Sequence, residues 1–278
     1  MDGLPQAEEV SAELTSDPPA EVLNLPEGPL AYIDEGPREA PALVAIHGIP
    51  GSARDFRYLA PQVSSRVRFV RPDLPGFGGS APTPAAVNGL TGRARVLIAL
   101  ADRLGLARFG VLGHSMGGST ALVMAAEHAA RVDRLALVAS VALRPHRGLA
   151  ISPRSLGLIG RGLGLPLLKD LLVPAGRERY RKRGFPGADQ MDAAAFAVHF
   201  RALAAVDFAR LRRAVTRPLP PTLVAYARDD HLIETELSEE LARSLPGARV
   251  LVFGAGGHNL QKTRAVELGR AIADWLGA

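Results

Sequence analysis

Six short runs rich in valine, leucine and isoleucine, spaced by longer segments, constrain this 278-residue chain more than any other feature. They are Leu43–Ile46, Val67–Arg71, Phe109–Leu112, Leu135–Ala139, Thr222–Tyr226 and Val250–Phe253. Apolar runs of this length, without polar alternation, suit strands covered on both faces, as in a parallel sheet. Ser52–Val63, Leu90–Leu104, Met116–Ala129, Thr235–Ser244 and Lys262–Leu276 read as the intervening helices. In the last of these, Ala265, Leu268, Ile272, Trp275 and Leu276 share one face at helical spacing. Val22–Leu25 and Leu30–Ile33 read as an N-terminal hairpin. The alternation predicts an α/β fold: a mostly parallel, doubly wound sheet of about eight strands.

The rhythm breaks between 143 and 217. Pro145, Pro153, Pro166, Pro174 and Pro186 interrupt this stretch, helical pieces fit Leu156–Leu172 and Asp192–Arg213, and no strand is convincing. The expected organisation is a core of 21–142 and 218–278 with a helical cap or lid at 143–217. The acidic, proline-containing residues 1–20 are expected to be a mobile tail. Gly157–Gly164 fits either lid movement or tight helix packing.

Chemistry concentrates at Gly113-His114-Ser115-Met116-Gly117-Gly118, which follows a predicted strand and opens a predicted helix. That context makes Ser115 the candidate nucleophile at a strand-to-helix elbow, with Gly113 and Gly117 clearing space beside it. A serine hydroxyl needs a base. Of seven histidines, His258 is best placed, in a glycine-rich loop between the last strand and the last helix. The base needs an orienting acid. Asp230 is the first choice and Asp229 the alternative, because both follow the strand Thr222–Tyr226 whereas Ala139-Ser140-Val141 offers no carboxylate. The other aspartate is expected to be a solvated or capping residue. An oxyanion needs backbone donors. Met116 N–H is one, and Ile49 N–H, in His47-Gly48-Ile49-Pro50-Gly51-Ser52, is the other. The bland alternative for that loop is a simple turn into a helix capped by Ser52 or Asp55. His47 and Gly48 are expected to support it.

Together with Asp73-Leu74-Pro75-Gly76-Phe77-Gly78-Gly79-Ser80, these motifs resemble the α/β-hydrolase superfamily, most of all its capped bacterial serine esterase and lipase-like branch. The resemblance runs from about Leu30 to Leu276, outside the insertion. It implies two-step acyl transfer on a small-molecule ester, with no metal and no organic cofactor. Asp73 to Ser80 is expected to brace the loops beneath the site. Ser115 separates the chain from branches with a nucleophilic aspartate. Carbon–carbon bond hydrolysis under an Arg-lined cap, and lactone, thioester or perhydrolase chemistry, would use the same residues. A non-catalytic ligand-binding protein of this fold is a further alternative. Phe185, Phe196 and Phe200 of the insertion are either pocket residues or cap packing.

Composition narrows the partners. There is no cysteine, which excludes disulfides, thiolate metal sites and a cysteine nucleophile. The formal net charge is +5, and Arg supplies all but three of the 33 basic residues. The charge is uneven: residues 1–37 hold nine acids and no Lys or Arg, whereas residues 144–217 hold 15 basic and five acidic residues. Without a recognised motif, and with 5% aromatics, a nucleic-acid partner is not expected. The chain shows neither a basic, apolar leader nor an uninterrupted span, so a cytoplasmic protein without stable membrane insertion is expected. An apolar Leu156–Leu172 face touching lipid is the minor alternative. The basic insertion reads either as an arginine-biased, solvated lid or as a surface that steers anionic substrates or attracts the acidic tail.

Overall fold

The computed structural model describes residues 17–82, 87, 89–149, 152–182, 189 and 191–277. Phe185, and residues 1–16 of the expected tail, lie outside the described residues.

Eight strands form one sheet in the order β1-β2-β4-β3-β5-β6-β7-β8. They are β1 (Glu21–Leu25), β2 (Gly28–Glu35), β3 (Ala42–Ile46), β4 (Arg68–Pro72), β5 (Phe109–His114), β6 (Val132–Val138), β7 (Thr222–Ala227) and β8 (Arg249–Phe253). The hairpin β1–β2 enters antiparallel and pairs antiparallel with β4, and every other pairing is parallel. β5 is central, so the chain leaves it with neighbours on both sides. β8 lies at the edge, so Val250 and Val252 are exposed despite the apolar run.

Helices cover both faces. On one, α2 (Leu90–Arg103) and α3 (Met116–Glu127) bury Leu97, Leu100, Leu122 and Val123 against Val44, Val70 and Val111. On the other, α1 (Ala60–Val63) and α10 (Ala265–Leu276) bury Leu59, Val63, Leu268 and Ile272 against Leu43, Phe69 and Leu112. Alternate strand residues thus feed opposite layers, which is why the runs lack polar positions.

Four predicted helices are each broken in two. Ser52–Val63 is a 3-10 turn at Ala53–Phe56 followed by α1, which restarts where Pro61 sits in its first turn. Leu156–Leu172 divides into α4 (Pro153–Gly162) and α5 (Pro166–Lys182), again with a proline opening the second helix. Asp192–Arg213 divides into α6 (Ala193–Ala204) and α7 (Phe208–Ala214). Asp192 caps the first by accepting from Ala195 N, and Asp207 caps the second by accepting from Arg210 N. The C-terminal helix is preceded by α9 (Leu260–Thr263), because Thr263 and Arg264 donate side-chain hydrogen bonds to the carbonyls of Gly256 and Ala255. Between β7 and β8 lies α8 (Thr235–Arg243).

The segment between β6 and β7 carries α4 to α7 and has its own small core of Leu163, Tyr180, Phe196 and Ala197. A Cβ at Gly160 would meet Ala197 O and Phe200 Cβ at ordinary van der Waals distance, so α4 lies close against α6 without requiring glycine there.

Candidate active site

The chain turns sharply at the carboxyl end of β5. Ser115 has φ 54° and ψ −122°, a conformation that L-residues rarely adopt, and it hands the chain directly to α3. Backbone bonds hold the turn: Ser115 N donates to Val138 O, and Ser115 O accepts from Gly118 N and Val141 N. Space at this corner is minimal. A Cβ on Gly117 would lie 2.1 Å from Ile46 O and 2.5 Å from His47 O, both backbone atoms of the neighbouring strand end.

This clash makes a prediction. Gly117→Ala gains about 1 kcal/mol of helix propensity. It must also displace β3, an overpacking cost of about 3 kcal/mol, the upper end of the usual range because the clash is with backbone. Its Tm is expected to fall on the order of 5 °C or more. Gly157→Ala, where a Cβ meets nothing within 4 Å, is expected to hold or raise Tm. Thermal unfolding of the two variants checks this.

Ser115 and His258 are joined by a 2.9 Å hydrogen bond between Oγ and Nε2, and His258 Nδ1 lies 2.8 Å from Asp230 Oδ2. A carboxylate only accepts, so Nδ1 carries the proton and Nε2 accepts from the serine hydroxyl. The other oxygen of Asp230 accepts from Leu232 N at 2.8 Å and Ile233 N at 3.0 Å. Burial opposes ionisation of Asp230. The hydrogen bond and charge of His258 and the two amides outweigh it, holding the carboxyl below its usual range.

The fallback acid has a different task. Asp229 accepts from Gly256 N and Gly257 N, tying down the loop that carries His258. It is neither merely solvated nor a helix cap. His114 adds a second tie. Its Nε2–H donates to His258 O at 2.9 Å while Nδ1 faces the Gln261 amide. Burial pushes His114 down to about 3, so it stays neutral. The ring of His114 also lies 5.0 Å from that of His258. The G-x-S-x-G context identifies Ser115 but gives no sign that its variable residue braces the base.

The loop after β3 reaches the same point. A Cβ on Gly48 would be 2.9 Å from Ser115 Cβ, so the chain passes directly beside the serine. Ile49 and Met116 both line the cleft at Ser115, and Met116 N–H, at the first position of α3, has no intrahelical acceptor. His47 holds the loop from below: Nε2 accepts from Leu74 N, and Nδ1–H donates to Gly48 O. Burial lowers the pKa of His47, consistent with this neutral tautomer. Asp73 accepts from Ala53 N and Gly79 N, which braces the 73–80 turn against the same loop.

Above these residues lies a cleft of about 800 Å³. The insertion contributes His146, Tyr180, Met191, Ala195, His199 and Leu203. Phe196 and Phe200 are not among them: Phe196 is fully buried in the insertion's own core, with Phe200 stacked on it. Among the described residues the lining arginines are Arg54 and Arg57, from the 3-10 turn and just after it, and none comes from the insertion. Lys262 joins them at the rim, paired with Asp55 at 2.9 Å. Among the described residues no group of three or more His, Cys, Asp or Glu is arranged to hold a metal ion, and no helix is long and apolar enough to cross a membrane.

Residues 43–271 match the family described as "Alpha/beta hydrolase family". The chain is 30% identical over 268 residues to the magnesium-chelatase 30 kDa subunit of Rhodobacter capsulatus, covering 90% of this chain and 92% of that one. It is 33% identical over 257 residues to a 2-hydroxymuconate semialdehyde hydrolase of Pseudomonas putida, covering 85% and 86%. The enol-lactonase of Burkholderia xenovorans LB400 superposes with a TM-score of 0.74 at 24% identity, over 93% of this chain and 100% of that one, which is a likeness of fold.

Proposed function

The chain belongs to the α/β-hydrolase family, and from that premise we propose that it is a serine hydrolase cleaving a carboxylic ester of a small or medium-sized substrate. The observation that carries the reading is the unbroken hydrogen-bonded line from Ser115 Oγ through His258 to Asp230 at the floor of the cleft.

In the proposed cycle Ser115 Oγ attacks the ester carbonyl carbon while its proton passes to His258 Nε2. The carbonyl oxygen becomes an oxyanion held by the Ile49 and Met116 amides. Asp230 stabilises the imidazolium and keeps the ring in register. Collapse breaks the carbon–oxygen bond, and His258 returns the proton to the leaving alcohol. His258 then takes a proton from water, hydroxide adds to the acyl-enzyme, and a second collapse releases the acid and restores Ser115. The helical insertion acts as a cap: it supplies the upper wall, excluding water and setting substrate shape.

A second reading, carbon–carbon bond hydrolysis with the same residues, is favoured by the semialdehyde hydrolase relative. A third, a magnesium-chelatase subunit, is prompted by the chelatase-subunit relative. A panel separates them: p-nitrophenyl esters of graded chain length, a 2-hydroxy-6-oxodienoate and an enol-lactone. The expected result is highest kcat/KM on an ester of short or medium chain. Preference for the dienoate would replace the ester reading with the second, and no turnover of any panel member would favour the third.

A further inference from the structure

Exposed leucines gather at one corner of the insertion. Leu158 is 64% exposed, Leu165 56%, Leu167 88%, Leu168 42% and Leu171 70%, all in α4, α5 or the turn between them. The other exposed large apolar side chains among the described residues are Val22, Val250 and Val252, on the edge strands β1 and β8. The inner sides of the two helices are already used. α4 buries Leu156 and Leu163 and lies against α6 at Ala197 and Phe200, which leaves Leu158 on its outer side. α5 turns Leu172, Val173 and Tyr180 toward the insertion's small core, and a Cβ on Gly176 would lie 3.0 Å from the Phe196 ring. Leu167 and Leu171 fall on the opposite side of α5 at helical spacing. The helices meet at a tight corner: Gly164 N and Leu165 N donate to Arg161 O and Gly162 O, and a Cβ on Gly162 would be 3.4 Å from Leu168 Cδ1.

Cations flank these leucines. Residues 152–182 hold seven basic and two acidic residues. Arg154 and Arg161 stand four and three residues from Leu158, on the same outer side of α4, and Lys169 is exposed on α5 between Leu168 and Leu171. None of these three has an ion-pair partner among the described residues, whereas Arg181 and Lys182 are paired with Glu178.

This chemistry selects the occupant. Protein interfaces are anchored largely by aromatic side chains, and this corner exposes none. A second copy in a two-fold contact would set Arg154, Arg161 and Lys169 against their own duplicates. A lipid surface with negative headgroups offers hydrocarbon to the leucines and counter-charge to the cations.

We propose that the α4–α5 corner is a peripheral docking surface for an anionic lipid bilayer, its leucines entering the boundary between headgroups and acyl chains and its cations lying against the headgroups. The inner side of α5 places Tyr180 in the cleft wall, so docking holds the cap, and the cleft beneath it, at the lipid surface. The contact is independent of the reaction catalysed and does not rest on the serine hydrolase reading.

The test is co-sedimentation of the full chain with vesicles of phosphatidylcholine alone or with about 30% phosphatidylglycerol. Binding to the anionic vesicles is expected to be about 10-fold tighter or more. Leu167→Gln/Leu171→Gln is expected to weaken it about 10- to 100-fold, and Arg161→Gln/Lys169→Gln to erase most of the preference for phosphatidylglycerol. Val250→Gln/Val252→Gln, which removes exposed apolar surface elsewhere, and Ser115→Ala are expected to bind vesicles as the parent does. The exchanged leucines are exposed, so Tm is expected to hold in both α5 variants. Absence of binding to either vesicle overturns the proposal. So does binding that the leucine pair leaves unchanged within about twofold, because charge alone then holds the protein. Sedimentation velocity without lipid tests the other occupant: a dimer lost in Leu167→Gln/Leu171→Gln, in a chain that ignores vesicles, makes the corner an interface between copies and overturns the lipid surface.

Discussion

Ser115→Ala is expected to lower kcat on a short p-nitrophenyl ester by about 10^4- to 10^6-fold, with Tm close to that of the parent protein. The size follows from chemistry: without Oγ there is no nucleophile and no acyl-enzyme, and only water activated by His258 remains. The small effect on folding follows from geometry. The Ser115 backbone bonds to Val138 O, Gly118 N and Val141 N are untouched by the change. Alanine meets the same φ of 54° as serine, so the strain at the elbow is unchanged. The lost side-chain bond is the one to His258, which Asp230 still holds. Steady-state kinetics with a matched melting curve checks both halves. Turnover retained within about tenfold would remove Ser115 from the mechanism.

Asp230→Asn is expected to lower kcat by about 10^4-fold. Here the reason lies in which oxygen is already committed. Asp230 Oδ1 accepts two backbone amides, from Leu232 and Ile233. An asparagine must place its carbonyl there, because its NH2 group cannot accept. The NH2 then faces His258 Nδ1, which has to give up its proton and become an acceptor. The ring proton moves to Nε2, where the base should be, and Ser115 is left unactivated. Loss of charge also removes the stabilisation of the imidazolium.

The same residue contributes a pH-dependent stability. The folded pKa of Asp230 is depressed. Its contribution is therefore full above the unfolded carboxylate value of about 4 and is lost as pH falls through the folded value. The stability difference between parent and Asp230→Asn protein should be constant near neutrality and shrink below about pH 4. Denaturant titrations at several pH values measure it. A difference that grows on acidification would contradict the depressed pKa.

Much of the sheet was legible because a strand buried on both faces leaves an unambiguous trace. The runs at 43–46, 109–112 and 222–226 lie within β3, β5 and β7. The helix breaks were less legible, although Pro61, Pro166 and Asp207 each carry a local signal for a new start. Periodicity carried across them because apolar positions continue in phase on both sides of a short break. At the site, Ser115, His258 and Asp230 could be named from their places after strands. The structure brings them within hydrogen-bonding reach and sets Ile49 and Met116 beside them. The ties from Asp229 and His114 to the His258 loop were not visible, since they depend on contacts between distant segments.

Arg93 is the instructive omission. Leu90, Arg93, Ala94, Leu97, Leu100 and Ala101 are among the buried positions of one helix, and an arginine stands with them at core spacing. That charged residue on an apolar face was readable in the sequence. What could not be read there was that neither Nη1 nor Nη2 finds a hydrogen-bond partner among the described residues. The basic balance of the chain, concentrated in the insertion, pointed to anionic ligands in general.

The central claim is that Ser115 is the activated nucleophile, and the most direct measurement is mass spectrometry of the protein after exposure to a serine-directed fluorophosphonate. The prediction is one phosphonyl adduct per chain, located on the peptide containing Ser115, formed rapidly in the parent protein and absent in Ser115→Ala. Full turnover of esters with no adduct, or an adduct on another residue that abolishes activity, would contradict it.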